Sequence, residues 1–453
     1  MSPISLLTPI LGGGIQNVNF VNGRVLTAAD LTAERNANLQ RQRLLGNCAG
    51  EGIVSGLEVT LAGSSVSFGQ QVAHVTAGLA VNRNGDVLQL PADTDVALAV
   101  STQSAPATSG LFAPCQPPQT QLSNPGVYIL TVLPASGYQG QAPVTQLNSG
   151  GLATTCTSQY ATAGVQFRLA PVTLANTGTG LQPALYALAN QILTQLNANA
   201  SASTVAPALS QLRNGLAHVC FGTEALAGYA ANPFAGLPQS SSLETYGLVD
   251  EQRTSGLITD CEVPLAIMYW SPQGVQFVDM WSVRRSLIPA PPSEYWPLPS
   301  GGRRAAEGLA MFLQFQDHAS SLLSALDITT LASVAAVNYF LYLPPVGLLQ
   351  TGNVTPSAGF DYLQFFSGRT YRSPVFIEGA RIAGIFRTAF LYPPIDLSKN
   401  ELLWAYQVRE NQQLIDNNGA GAAPLYLLFT NGQIPFQGEA RYDLNYFNYA
   451  NYF

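Results

Sequence analysis

Three histidines, His74, His218 and His318, supply all the imidazole in this chain. Each falls in a different predicted element: His74 in an alternating strand, the other two on helices. A zinc centre draws its ligands from short fixed spacings, such as two histidines one helical turn apart. No HExxH or HxH pattern occurs, so structural or surface imidazoles are expected, with no metal. Nucleophilic chemistry has as little to work with, because no GxSxG elbow presents a serine on a strand-to-helix turn. Gly12-Gly13-Gly14 lacks the preceding strand and the nearby cation of a phosphate loop; Lys399, the single lysine, lies far from it. The triplet reads as a hinge. Carboxylates remain. Asp250, Glu251, Asp260, Glu262 and Asp279 gather around one predicted hairpin, and glycoside hydrolysis uses two carboxyl groups ~5–9.5 Å apart. Spacing in sequence does not set that separation, and among 26 acidic residues such clustering arises by chance. Asp260, Glu262 and Asp279 are expected at the polar ends and edges of strands. The reading is of a chain without catalytic residues or cofactor.

Composition bounds the partners. Charged residues make up 10% of the 453 residues, well under the ~25% usual for soluble domains. Hydrophobic residues reach 47%, enough for several buried cores. A surface hydrated by neutral Ser, Thr, Asn and Gln can be buried in a permanent subunit contact with little charge to desolvate; a secreted or salt-tolerant monomer is the alternative. The net charge is −7. The pairs Arg284-Arg285 and Arg303-Arg304 are too short to displace a counterion atmosphere, so nucleic acid is not an expected partner.

Cys48, Cys115, Cys156, Cys220 and Cys261 form no CxxC pair, and an odd number cannot all pair within one chain. A Cys115–Cys156 bridge is allowed but not required; buried free thiols in a reducing cytoplasm are the simplest expectation. The opening MSPISLLTPILGGG has no basic n-region. The longest apolar stretch, 328–346, is interrupted by Thr329, Thr330, Ser333, Asn338 and Pro344-Pro345, short of the ~20 residues of a membrane helix. Cytoplasmic synthesis without a signal peptide or a membrane span is expected.

Several elements must position these groups. Residues 18–26 alternate around Asn22-Gly23, a tight-turn signal. Thr27 offers a helix N-cap with Asp30 three residues on, and a helix from Ala28 to Leu45 would be ~27 Å long. Its apolar stripe, Leu31, Leu39, Leu44 and Leu45, is thin for a core helix and suits a partner seam. Short strands follow, with a hairpin predicted at Leu79–Val81, Asn84-Gly85 and Val87–Leu90. Strands at 126–134, 165–174, 263–270 and 275–283 are expected in one sheet, with two helices inserted over 181–219. Loops are predicted over 101–125, 140–160 and 221–242. Helical periodicity returns at 305–326, mixed segments follow, and 423–431 reads as a strand. The fold class expected is α+β, mainly β. It comprises an N-terminal arm and helix (1–50), a small β domain (51–100), a central β domain (101–287) with its helical insertion, a Pro-rich linker (288–302), and a mixed α/β domain (303–453).

The stretch Asn19-Phe20-Val21-Asn22-Gly23-Arg24-Val25-Leu26-Thr27-Ala28-Ala29-Asp30-Leu31 is followed by Gly52-Ile53-Val54-Ser55-Gly56-Leu57-Glu58-Val59 and by Thr76-Ala77-Gly78-Leu79-Ala80-Val81-Asn82. Together these resemble the opening of baseplate and fibre-attachment proteins of tailed phages and extracellular contractile injection systems. The likeness extends to about residue 95. LAIMYWSPQGVQFVDMWSVRR, YLPPVGLL and PVFIEGARI look like segments of larger proteins from such clusters. The helix is poorer in charge than the pattern, and Ala77 stands where Pro is common. The resemblance implies a structural subunit of a phage-tail-like particle: a fibre, cage or wedge accessory at the baseplate.

On this reading the chain contacts other baseplate or tail subunits and forms a homo-oligomer, a trimer or sixfold array. A cell-surface or membrane-proximal receptor is a further partner considered. The candidate assembly residues are Phe20, Asn22, Leu26, Leu31 and Leu39 in the arm, with Tyr446, Phe447, Tyr449 and Phe453 in the aromatic tail. Tyr and Asn make a good contact palette; the tail could equally complete its own sheet. The second hypothesis is a receptor- or glycan-binding adhesin using the three loops, and the third a carbohydrate-active enzyme using the 250–279 carboxylates.

Overall fold

The computed structural model describes residues 10–62, 71–98, Phe112, Cys115, 125–144, 155–231, 246–289, 302–351, 359–371, 374–411 and 425–432. The fold is α+β with substantial β content. Its first element is helix α1 (Ala28–Ala49), which runs past the expected end at Leu45. Thr27 caps it as predicted: its hydroxyl accepts from the Asp30 amide, and the Asp30 carboxylate accepts from the Thr27 amide. Two three-stranded antiparallel sheets follow, in the orders β1–β4–β5 and β2–β3–β6. Their strands are β1 (Gly52–Gly56), β2 (Val59–Ala62), β3 (Val72–Val75), β4 (Gly78–Val81), β5 (Val87–Leu90) and β6 (Thr94–Ala97). The Asn84-Gly85 hairpin joins β4 and β5.

The end of α1 sits directly on that hairpin. A Cβ on Gly46 would fall 2.2 Å from the Gly85 carbonyl oxygen, and Gly85 itself has φ +79°. Only paired glycines allow this approach, and Arg43 Nε–Asp86 Oδ1 (2.6 Å) closes the contact.

The central sheet has the order β10–β7–β11–β12: β7 (Gly126–Gln139), β10 (Tyr160–Pro171), β11 (Val263–Ser271) and β12 (Gly274–Asp279). A short hairpin, β8 (Ala142–Val144) and β9 (Thr155–Thr157), lies between its first two strands in sequence. The four predicted strands do share one sheet, although β12 stops at Asp279 and 280–282 turn away. Side chains alternate along β7. Tyr128, Leu130 and Val132 join the core beneath the two small sheets. Val127 and Ile129 join the core beneath α2 (Leu181–Asn197) and α3 (Ala202–Cys220), the expected helical pair. One strand thus serves two hydrophobic layers by its period of two.

Helices α4 (Thr223–Ala231) and α5 (Leu248–Thr254) extend the helical layer. The first of these replaces part of the loop expected over 221–242. A four-residue apolar series, Ala225, Leu226, Ala227 and Ala230, has the composition for a helix, and Leu226 buries against Ala217, Phe221, Ala310 and Met311. Helix α6 (Gly302–Ala325) then crosses to the last sheet. That sheet has the order β14–β18–β17–β15: β14 (Val346–Thr351), β15 (Val375–Ile377, parallel to its neighbour), β17 (Leu403–Val408) and β18 (Leu425–Asn431). β13 (Tyr342–Leu343) and β16 (Ile395–Asp396) pair beside it. Phe315 and Leu322 of α6 cover one face with Leu349, Leu427 and Phe429. Helix α7 (Ile382–Ala389) covers the other through Ile385 and Ala389. Most of the Pro-rich stretch 288–302 lies outside the described residues.

The tight turn expected at Asn22-Gly23 is present, with the Arg24 amide donating to the Val21 carbonyl. One further expectation is corrected: Cys115 and Cys261 form a disulfide across 146 positions, packed with Phe112. Cys48 and Cys156 are exposed, leaving Cys220 as the buried thiol among the described residues.

The units are also joined by buried charge. Arg213 on α3 donates to Asp279 (2.7 Å) at the end of β12 and to Asp317 (2.6 Å) on α6, and Gln314 donates to the same Asp279 oxygen (2.9 Å). Asp279 is fully buried. Breaking a buried pair strands the remaining charge, so Asp279→Ala should lower unfolding free energy by about 3 kcal/mol in denaturant titration; a loss under ~1 kcal/mol would mean the network is no stronger than a surface pair.

Candidate functional site

The most chemically concentrated region is an arginine-lined cavity of about 90 Å³ where β1, the β4–β5 turn, α5, α6 and the segment after β12 meet. Glu51 precedes β1. Arg83 grips it bidentately, Nε to Oε2 at 2.6 Å and Nη2 to Oε1 at 3.1 Å. Arg253 of α5 reaches the same carboxylate, Nη1 to Oε2 at 2.9 Å. Asp250 bridges the next pair, accepting from Arg83 Nη2 (3.2 Å) and Arg303 Nη2 (2.7 Å). Arg303 also donates through Nε to Glu307 (2.9 Å), and its guanidinium lies 4.1 Å from the centre of the Tyr246 ring. The Tyr246 hydroxyl donates to Glu307 in turn. Two carboxylates therefore gather three arginines from three different units of the fold.

Electrostatics follow from this geometry. Burial opposes ionisation of Glu51, yet Arg253 and Arg83 outweigh it and hold the carboxyl below its ordinary value. Burial likewise disfavours charge on Arg303, and Glu307 and Asp250 reverse the effect, raising it. Arg285 differs. Burial lowers it, and among the described residues no carboxylate lies within ion-pair distance. It donates to three backbone carbonyls, Trp281 (3.1 Å), Arg284 (2.8 Å) and Ser282 (3.1 Å), and rests 4.7 Å from the Phe221 ring centre. Cys220 lines the same cavity, but burial pushes its thiol up to about 12. It stays protonated at neutral pH and is no nucleophile.

The predicted chemical residues are dispersed. His74 lies at the surface on β3, with Nδ1 2.7 Å from Asp95. His218 is buried, bonded to Thr223 (2.9 Å) and stacked on Tyr342; burial drives it down to about 3, so it is neutral. His318 is buried against Ser210 (2.6 Å), and burial holds it well below the usual range. Of the carboxylates around 250–279, Glu262 and Asp279 are fully buried strand-end groups. Glu262 is bound by Arg168 (2.7 Å), Thr131 (2.8 Å) and the Thr259 amide (2.7 Å). Asp250 belongs to the cavity, whereas Glu251 and Asp260 are exposed. Among the described residues, no group of three or more His, Cys, Asp and Glu could hold a metal ion, and no helix is long and apolar enough to cross a membrane.

The candidate assembly residues in the arm are at the surface. Phe20, Asn22, Leu26 and Leu31 are exposed and Leu39 is half-buried. Tyr446, Phe447, Tyr449 and Phe453 lie outside the described residues. Sequence reasoning missed Glu51, Arg83, Arg253, Arg285 and Arg303 as one site. The only signal was their type: with a single lysine, nearly every cation is an arginine, the residue suited to bidentate buried pairs. Comparison of the sequence with protein-family models and with curated proteins finds no match.

What this arrangement can do is join units and hold negative charge. The folded-state Glu51 carboxyl titrates below the ~4.3 of a free glutamate, so its ionised form stabilises the fold at neutral pH, and that contribution is lost as pH falls below ~4.3 and through the depressed value. The stability gap between wild type and Glu51→Gln, read by denaturant titration, should therefore be constant from about pH 8 to pH 5 and close below about pH 4; a gap that persists unchanged to pH ~3 would refute the coupling.

Proposed function

We propose that this chain is a structural subunit of a phage-tail-like contractile injection particle, associated with its baseplate, and that it acts by assembly through its N-terminal arm and α1. One observation carries the reading. Ile10, Leu11, Phe20, Val21, Val25 and Leu26 stand between 49% and 83% exposed, and Leu31, Leu44 and Leu45 continue the apolar surface onto α1. A monomer rarely leaves such an apolar run in water, and a protein partner is its usual cover. Of α1's 22 residues only Ala37 and Gly46 are buried. No described core cluster contains a residue before Ile53. The arm's polar contacts with α1 include Val18 N–H to Glu34 (3.4 Å) and Arg24 to Asp30 (2.5 Å). The cover for this surface is taken to be neighbouring subunits, including copies of this chain.

The second reading, an adhesin, has one supporting observation. The outer half of the β7–β10 ribbon extends away from the core, and Tyr138 and Tyr160 on it are exposed. Two aromatic rings on a projecting ribbon suit a receptor contact.

Deleting residues 1–26 decides between them. The shortened chain should unfold at the same temperature as the intact one, yet lose self-association by light scattering and fail to join particles. Unaltered association, or a collapsed body, would remove the docking role. Selective loss of glycan or cell binding in a Tyr138→Ala/Tyr160→Ala variant that still assembles would favour the adhesin.

A further inference from the structure

The cavity's polar groups are not all accounted for by the protein around it. Four guanidiniums, Arg83, Arg253, Arg285 and Arg303, face three carboxylates, Glu51, Asp250 and Glu307. Each carboxylate is bound to arginine or tyrosine. Among the described residues one positive charge is left over, and it resides on Arg285, which has no described carboxylate within ion-pair distance. Its three hydrogen bonds use Nη1 and Nη2 and end on backbone carbonyls. Nε–H donates to no protein group among the described residues. Arg253, whose side chain is only 9% exposed, also leaves its Nε–H without an acceptor. A buried donor without an acceptor, as at Arg253, points to a water or an ion, and the guanidinium of the half-buried Arg285 on the same wall favours the ion.

Size narrows the class. About 90 Å³, against the ~150 Å³ of a cavity that takes up benzene, suits a single compact anion better than a nucleotide or a sugar phosphate. Guanidiniums also match the planar oxygen pairs of oxyanions better than they match chloride. We propose that this cavity binds a small oxyanion of phosphate size, with Arg285 as its principal charge partner and Arg253 as the second donor on the wall. The anion completes the junction that Glu51 and Asp250 organise, adding a bound ligand to the contacts between the small β sheets, α5 and α6. This site is separate from the arm surface and does not depend on the assembly reading.

Calorimetric titration of the full chain with inorganic phosphate, at ionic strength held constant with sodium chloride, tests it. Wild type should bind saturably with a stoichiometry of one, and its unfolding temperature should rise with phosphate concentration. Arg285→Gln should weaken binding tenfold or more, while Arg24→Gln, on the exposed arm, should leave it unchanged. Val249→Phe fills the cavity from α5 without removing charge and should also abolish binding, which decides the matter if the Arg285 variant does not fold. Absence of saturable binding to wild type at millimolar phosphate would mean a water-filled cavity and overturn the proposal. Wild-type affinity retained in Val249→Phe would overturn it as well.

Discussion

The fold depends on guanidinium–carboxylate contacts made inside it. Two carboxylates, Glu51 and Asp250, hold Arg83 from the β4–β5 turn, Arg253 from α5 and Arg303 from α6. A third, Asp279, ties α3 to α6 through Arg213. Such pairs add little net stability relative to apolar packing, because desolvation cancels most of the Coulomb gain. They discriminate strongly between arrangements, since any packing that separates one pair strands a charge in a medium of low dielectric.

That use of charge explains the composition differently from the expectation of a neutral surface alone. The chain is poor in ionisable groups, and a large share of those it has are turned inward: Arg168, Arg213, Arg253, Arg284 and Arg304 all have side chains or residues at least nine-tenths buried. Among the described residues Arg284 has no carboxylate within ion-pair distance. It donates instead to the Leu57 carbonyl (2.6 Å) and to that of Gly56, fastening the β1–β2 corner to the segment after β12. What remains outside is largely Ser, Thr, Asn, Gln and Ala, a surface with little charge to desolvate on contact.

Local signals were legible and distant ones were not. Thr27 and Asp30 lie three residues apart and announce their capping box; Asn84-Gly85 announces its hairpin; the strand pattern of 126–134 and 263–270 announces a shared sheet. Each depends on neighbours in sequence. The cavity does not: Arg83 and Glu51 are 32 positions apart, Arg83 and Asp250 are 167, and Arg253 and Glu51 are 202. The disulfide is of the same kind, since Cys261 meets Cys115 rather than Cys156 only because the start of β11 lies beside Phe112.

The disulfide and the arm bear on each other through this division. Cys115–Cys261 ties two positions 146 residues apart by a covalent bond. A body fixed by interior ion pairs and a covalent tie can be stable without its first helix. Accordingly α1 makes its specific contacts with the body near one end, through Gly46 on Gly85 and Arg43 on Asp86. The rest of its 22 residues, a rod of ~33 Å at 1.5 Å per residue, and the apolar segment laid along it contribute no residue to any described core cluster. Burial in the described core clusters therefore does not account for Phe20, Val25 or Leu26 being apolar, whereas contact with a partner, as proposed above, would.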